Sequence, residues 1–319
     1  MAIDNSFLIK KILSRDHFYA AFCAVTGMPF AVCDPVTFED QVWIFSDEAQ
    51  FRNFAERYAG RKIALRCAQV KRNSYLGFLG TLYTLGIGEV VFTENDASAK
   101  IPLDQMVKRQ DISKIPPALR PFENPQLQLT GLYLMQEVGR QVPNEEKEDL
   151  AQLDEEFTVN LARSRFGIAV ELNNGPGTPA EKLQKNAFSV PVINLKNGDR
   201  YRPLFTDMVE FNKFRSNAGN KPYQMLQVPF AALKAMMPKD VKGYILNPAG
   251  FHILLQSATV DRVLARFPDE VKQGAEEFRK AQEKFAGPQV KKMGGKSTQG
   301  GAPSLPHSKI TRMPGKDGK

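Results

Sequence analysis

The feature that most constrains what this chain can fold into is a segment that occurs twice. Trp43-Ile44-Phe45-Ser46-Asp47-Glu48-Ala49-Gln50-Phe51-Arg52-Asn53-Phe54 reappears as Pro203-Leu204-Phe205-Thr206-Asp207-Met208-Val209-Glu210-Phe211-Asn212-Lys213-Phe214, at one constant offset (205 − 45 = 214 − 54 = 160). Each copy reads as an apolar strand ending in Phe, a hydroxyl and an Asp at the junction, and a helix whose Phe pair is spaced i, i+3 toward a core. The junction residues suit the task. A Ser, Thr or Asp side chain accepts from the orphan amides of a first helical turn, and Asp also favours the positive helix end. The pattern predicts two strand-to-helix junctions with Phe51, Phe54, Phe211 and Phe214 buried.

The surroundings repeat in kind. Upstream of the second copy, Ala187 to Leu195 and Arg200 to Phe205 flank Lys196-Asn197-Gly198-Asp199, and Asn-Gly between β-rich runs is a hairpin signal. Met28 to Cys33 and Gln41 to Phe45 hold the same places in the first copy, around a longer loop. Downstream come a strand (Ile63 to Cys67; Gln224 to Val228), a short helix (Asn73 to Leu85; Phe230 to Met237) and a third strand (Glu89 to Thr93; Lys242 to Leu246). The second copy then runs through Asn247-Pro248-Ala249-Gly250 into a further strand, Phe251 to Gln256. A hairpin followed by alternating strand and helix predicts an α+β fold: two related modules, each a mixed β-sheet with flanking helices.

Between the modules, Pro125 is suited to the first position of a helix running to about Val138. Pro143 to Arg165 reads as a longer helix, with Leu150, Leu153, Phe157 and Leu161 on one stripe and the acidic residues off it. Pro268 opens another helix, and Gly287-Pro288 stops it. The expected organisation is a module over 1–112, a linker with a helix over 113–145, a second module over 146–286 and a tail over 287–319. The tail is Gly, Pro, Ser and Lys with almost nothing to bury, so it is expected to be disordered. Its seven Lys and Arg residues against Asp317 give it +6 of the chain's formal +8, which leaves the body near neutral. A nucleic-acid or anionic-surface reading therefore rests on the tail alone.

Elementary chemistry removes several classes of function. Cys23, Cys33 and Cys67 are odd in number and form no CxxC pair, so neither a disulfide framework nor a thiolate metal cage is implied. His17, His252 and His307 are far apart in sequence. Gly294-Gly295-Lys296-Ser297-Thr298 imitates the end of a phosphate-binding loop, but the motif's first glycine position is Val290. The N-terminus, MAIDNSFLIKKIL, carries Asp4 and only short apolar runs, unlike a signal peptide. No stretch approaches the ~20 apolar residues of a membrane span. A cytoplasmic protein with no cofactor and no metal is expected.

At the residues just quoted, the second half resembles the SseB family, bacterial proteins named for enhanced serine sensitivity. The likeness begins at Phe157 and Leu161-Ala162-Arg163-Ser164. It continues through Arg202-Pro203-Leu204-Phe205-Thr206-Asp207, Phe211 and Phe214, and ends on Gly243-Tyr244-Ile245-Leu246-Asn247-Pro248-Ala249-Gly250, covering roughly 150–266. The first half, roughly 15–110, looks like a diverged copy that keeps Phe45-Ser46-Asp47 and has Phe92-Thr93-Glu94-Asn95 where the Asn-Pro-x-Gly loop belongs. The resemblance implies a bacterial α/β domain and supplies no catalytic residue.

Thr206, Asp207, Asn247, Pro248 and Gly250 are the candidate binding loop. Capping and turn chemistry already account for their residue types: Thr206 and Asp207 cap a helix, Asn247 bonds its own backbone, and Gly250 supplies a positive φ. On that reading Asn247→Ala costs about 1 kcal/mol. The functional reading is that the loop lines a groove on a rigid scaffold. The favoured role is a non-catalytic binding or regulatory module whose partner is another protein. An enzyme with its site between the modules, and nucleic-acid or anionic-surface association through the tail, stand as alternatives.

Overall fold

A computed structural model describes residues 5–109, 111, 115, 122–147, 149–172, 188–219 and 222–283 of the chain. The basic tail of residues 287–319, with Gly294-Thr298 and His307, lies outside them. The fold is α+β and divides into two compact units, residues 1–111 with 124–157 and residues 112–123 with 158–319. No helix among the described residues is long and apolar enough to cross a membrane.

In the first unit, α1 (Ser6–Ser14) leads into β1 (His17–Cys23), β2 (Ala31–Cys33), β3 (Asp40–Phe45), α2 (Glu48–Ala59), β4 (Leu65–Lys71), α3 (Tyr75–Thr84), β5 (Glu89–Glu94), β6 (Ala97–Pro102), α4 (Leu103–Met106) and α5 (Pro125–Val138). The sheet order is β4-β1-β3-β5-β6, with β2 also on β3. Only β3 and β5 run parallel, with Phe45 opposite Thr93. Both faces are covered, because alternate β1 residues point opposite ways. Ala21 and Cys23 pack with Phe45, Phe51 and Phe54 under α2, whereas Phe18 stacks on Tyr75 and meets Phe78 of α3. Phe51 and Phe54 are buried, and Phe54 sits edge-on or tilted against Phe45 and Phe30. The helix expected between modules, α5, belongs to this unit and buries Leu127, Leu129 and Leu132 in it.

The stretch expected as one helix from Pro143 to Arg165 is a 3-10 turn, Asn144–Glu146, followed by α6 (Leu150–Arg163). The second unit continues with β7 (Arg165–Leu172), β8 (Phe188–Ser189), β9 (Ile193–Asn194), β10 (Arg200–Leu204), α7 (Met208–Asn217), β11 (Gln224–Pro229), β12 (Gly243–Leu246), β13 (Ile253–Gln256), α8 (Ser257–Arg266) and α9 (Pro268–Glu283). Its strands form two ladders, β13-β12-β10-β9 and β11-β7-β8, and β10 and β12 are parallel. The ladders meet where Gly167 and Phe205 exchange backbone hydrogen bonds of 2.9 Å in both directions. Gly167 is also needed for space, because a Cβ there would stand 2.6 Å from Met225 Sδ and 2.9 Å from the Phe122 ring. Phe122, Phe205, Phe211, Phe214 and Tyr223 form the core beneath α7. The helix expected over Phe230 to Met237 reduces to a 3-10 turn, Phe230–Ala232, with Pro238 stopping any continuation.

Candidate functional site

The five candidate residues converge where β10 and β12 end side by side. Asp207 caps α7 from an extended conformation, and its Oδ1 accepts from the amides of Val209 at 2.8 Å and Glu210 at 3.0 Å. The Thr206 hydroxyl donates to Asp207 Oδ2 at 2.7 Å and accepts from Asn247 Nδ2 at 2.8 Å. Asn247 Oδ1 accepts from the Thr206 amide at 3.0 Å. This closed set of bonds ties the start of the helix to the end of the neighbouring strand. Thr206, Asp207 and Asn247 are 0–1% exposed, so none of the three can touch a partner directly. Pro248 and Gly250 are half-buried on the loop itself.

Two expectations for this loop need correction. Gly250 does not hold a positive φ; Asn247 at 48° and His252 at 55° do. Gly250 is required for space, since a Cβ would lie 2.6 Å from Glu210 Oε2 and 3.1 Å from Glu210 Cδ. Nor does the Asn247 side chain turn back on its own backbone. Its main-chain carbonyl makes the turn, accepting from Gly250 at 2.8 Å and His252 at 3.2 Å, and the side chain crosses to Thr206.

Residues 146–262 match the family model of the SseB protein N-terminal domain. No curated protein and no solved structure matches the chain. All five candidate residues fall inside the matched segment, and so does Glu210, for which the sequence reading made no provision. A signal for it was present: Asp207-Met208-Val209-Glu210 has the spacing of a capping box, whose fourth residue bends back toward the helix start. Glu210 is 1% exposed; Oε1 accepts from Lys213 at 2.6 Å and, among the described residues, Oε2 has no hydrogen-bond partner. Burial pushes its carboxyl above the ordinary value, with Lys213 opposing.

The first unit shows a related junction with a different loop. Asp47 caps α2 and accepts from the Gln50 amide at 3.0 Å, and the Ser46 hydroxyl donates to Asp47 at 2.7 Å. After β5, however, Asn95 at φ 49° and Asp96 at φ 60° form a two-residue hairpin into β6. Glu94 at its start is held by Lys11 and, at 2.9 Å, by Arg15. Cys23 is in the core, and His17 packs edge-on against Tyr19 at 5.2 Å.

Proposed function

We propose that this chain is a non-catalytic binding protein of the SseB type, built from two diverged copies of one module, whose protein partner seats on the loop from Pro248 to His252. The supporting observation is the pair of left-handed, non-glycine residues that bracket the loop, Asn247 at φ 48° and His252 at φ 55°. Such conformations cost roughly 1–3 kcal/mol each and persist where the surroundings over-determine them. At Asn247 the buried bonds that link it through Thr206 to Asp207 do so, and the His252 amide is tied to the Asn247 carbonyl at 3.2 Å, which supports reading the loop as a fixed platform on which Pro248 and Gly250 are half-buried and His252 is exposed. A rigid loop loses little entropy on binding.

The two-copy reading rests on the matched junctions. Asp47 (φ −155°, ψ 170°) and Asp207 (φ −164°, ψ 177°) cap in the same conformation, and each accepts from the preceding hydroxyl at 2.7 Å. Three free thiols fit a reducing cytoplasm. The test is co-purification of the full chain from its own host, comparing wild type with Pro248→Ala/His252→Ala. Loss of a specific partner at unchanged melting temperature is expected. Retention of that partner, or its loss on Asn95→Ala instead, would overturn the assignment to this loop.

A further inference from the structure

A second feature, independent of the SseB domain, lies wholly within the first unit. A cleft of about 580 Å³ opens between the outer side of β2, the end of α2, the helix α5 and the start of α6. That volume is in the range of sites for small organic ligands. Phe30, Tyr58, Ile63 and Leu129 supply apolar walls. The edge strand β2 is finished on this side by a side chain: Gln136 donates to the Ala31 carbonyl at 3.1 Å and accepts from the Ala31 amide at 3.0 Å.

The cleft's polar groups have a definite sign. Asp40, Glu137, Asp149 and Glu156 line it against Arg61. Some of this charge is already engaged, since Glu137 pairs with Arg140 at 2.6 Å and Asp149 caps α6 at 3.0 Å. Asp40 differs. Its Oδ1 accepts from the Tyr133 hydroxyl at 2.6 Å, and among the described residues its Oδ2 accepts nothing. The Tyr58 hydroxyl, also in the lining, likewise has no hydrogen-bond partner among them. Burial pushes the Asp40 carboxyl and both phenols upward, as expected of polar groups set among apolar side chains. Tyr133, in the same lining, engages one oxygen of Asp40 and leaves the other without a hydrogen bond among the described residues. A negative cleft in a chain of formal net charge +8 is a local arrangement that runs against the whole.

We propose that this cleft binds a small organic amine, its ammonium group on Asp40 Oδ2 and its apolar body between Tyr58, Ile63 and Leu129. The charge selects a cation over an anion, and the apolar walls select an aromatic or branched aliphatic body over a polyhydroxylated one. Tyr58, in the same lining, would offer its hydroxyl as a second acceptor.

The test uses the full chain and phenethylamine as probe, with phenethyl alcohol as its neutral counterpart. Calorimetric titration should show saturable binding of the amine and binding of the alcohol weaker by about tenfold or more, the worth of a charged hydrogen bond. Asp40→Asn keeps an acceptor for Tyr133 and removes the charge, so it should weaken amine binding by about tenfold. Amide-shift mapping on the unmodified protein locates the site without relying on any variant's folding, and the shifts should centre on residues 30–33, 58–63 and 126–133. Absence of binding, equal binding of amine and alcohol, shifts centred elsewhere, or an Asp40→Asn variant that binds undiminished would each overturn the proposal. So would capture of a lysine-bearing peptide with no binding of the free amine.

Discussion

Asn247 Oδ1 accepts from the Thr206 amide at 3.0 Å, in the place that the Thr93 main-chain carbonyl takes toward the Ser46 amide, also at 3.0 Å. In both units this bond closes a parallel ladder at the point where the strand gives way to a helix. In the first unit Thr93 is still in strand conformation, so its backbone oxygen reaches Ser46. In the second, the left-handed turn at Asn247 swings the backbone oxygen toward Gly250 and His252, and the side-chain amide substitutes for it. One residue thereby performs two tasks that are separate elsewhere, satisfying a buried donor and starting a turn.

Asn247→Ala should therefore cost more than a turn residue would. It strands the buried Thr206 amide, at about 1–3 kcal/mol, and puts Ala in the left-handed region, at roughly 1 kcal/mol more. A loss of about 2–4 kcal/mol is expected from urea denaturation of the full chain, against the ~1 kcal/mol expected from the sequence. Asn247→Gly should recover about 1 kcal/mol of this by relieving the backbone. Equal losses for the two variants would show that the backbone conformation contributes nothing.

Gly250 makes a separate prediction because its constraint is steric. An added methyl would press on the buried Glu210 carboxylate at 2.6 Å, which Lys213 holds in position. Gly250→Ala should destabilise by about 1–3 kcal/mol, the usual cost of overpacking. In a Glu210→Ala background the space is open, and the same change should be nearly neutral. A full cost in both backgrounds would locate the strain elsewhere.

Much of the frame was legible in the sequence. The two junctions, the Asn197-Gly198 hairpin, and helices opening at Pro125 and Pro268 all rest on local signals, and the structure has Gly198 at φ 83° between β9 and β10 as that turn requires. Strands β1 and β7 were not legible. His17–Cys23 and Arg165–Leu172 lie central in their ladders and are apolar on both faces, so they lack the alternation that marks a strand. At the loop, residue types were readable and their geometry was not. An Asn followed by Pro-Ala-Gly announces a turn, but nothing local reveals that Asn247 reaches Thr206 forty-one positions away, or that the glycine answers to Glu210. The cleft of the first unit was missed because Asp40, Tyr58 and Tyr133 come from three elements and share no motif.

Glu210 should make the second unit's stability fall as pH rises. Burial raises its folded carboxyl value above the ordinary 4.5, so between those two values the folded state binds more protons than the unfolded one. The relation of stability to proton uptake then gives a negative slope. The contribution is fullest below the unfolded value and is lost as pH climbs through the folded one. Relative to wild type, Glu210→Gln should gain in melting temperature across that interval and level off above it. A Glu210→Gln variant that loses ground with rising pH would mean that the Lys213 pair outweighs burial.

Asp34 carries the opposite sign and organises a different surface, the loop between β2 and β3. Its Oδ1 accepts from the amides of Val36 at 2.9 Å and Thr37 at 3.0 Å, and Gln41 and Lys100 both donate to Oδ2. Lys100 holds this carboxyl well below the usual carboxylate range, helped by the two amides. Its contribution is therefore present above the ordinary value and is lost progressively as pH falls from that value through the folded one. The loop so braced displays Val36 at 80% exposure and Phe38 at 76%, with Phe38 at φ 58°, a costly conformation for an aromatic residue. Removing the brace should release that strain by letting the loop open. Asp34→Ala is expected to raise chymotrypsin cleavage after Phe38 severalfold at neutral pH while the core melts at nearly the wild-type temperature, because Val36 and Phe38 bury little. Lys100→Met should have a smaller effect, since the amide bonds to Val36 and Thr37 survive it. Cleavage at the wild-type rate in Asp34→Ala would show that the loop is held by its main-chain bonds, the Asp34 amide to the Glu39 carbonyl and the Phe38 amide to the Asp34 carbonyl, both 2.9 Å.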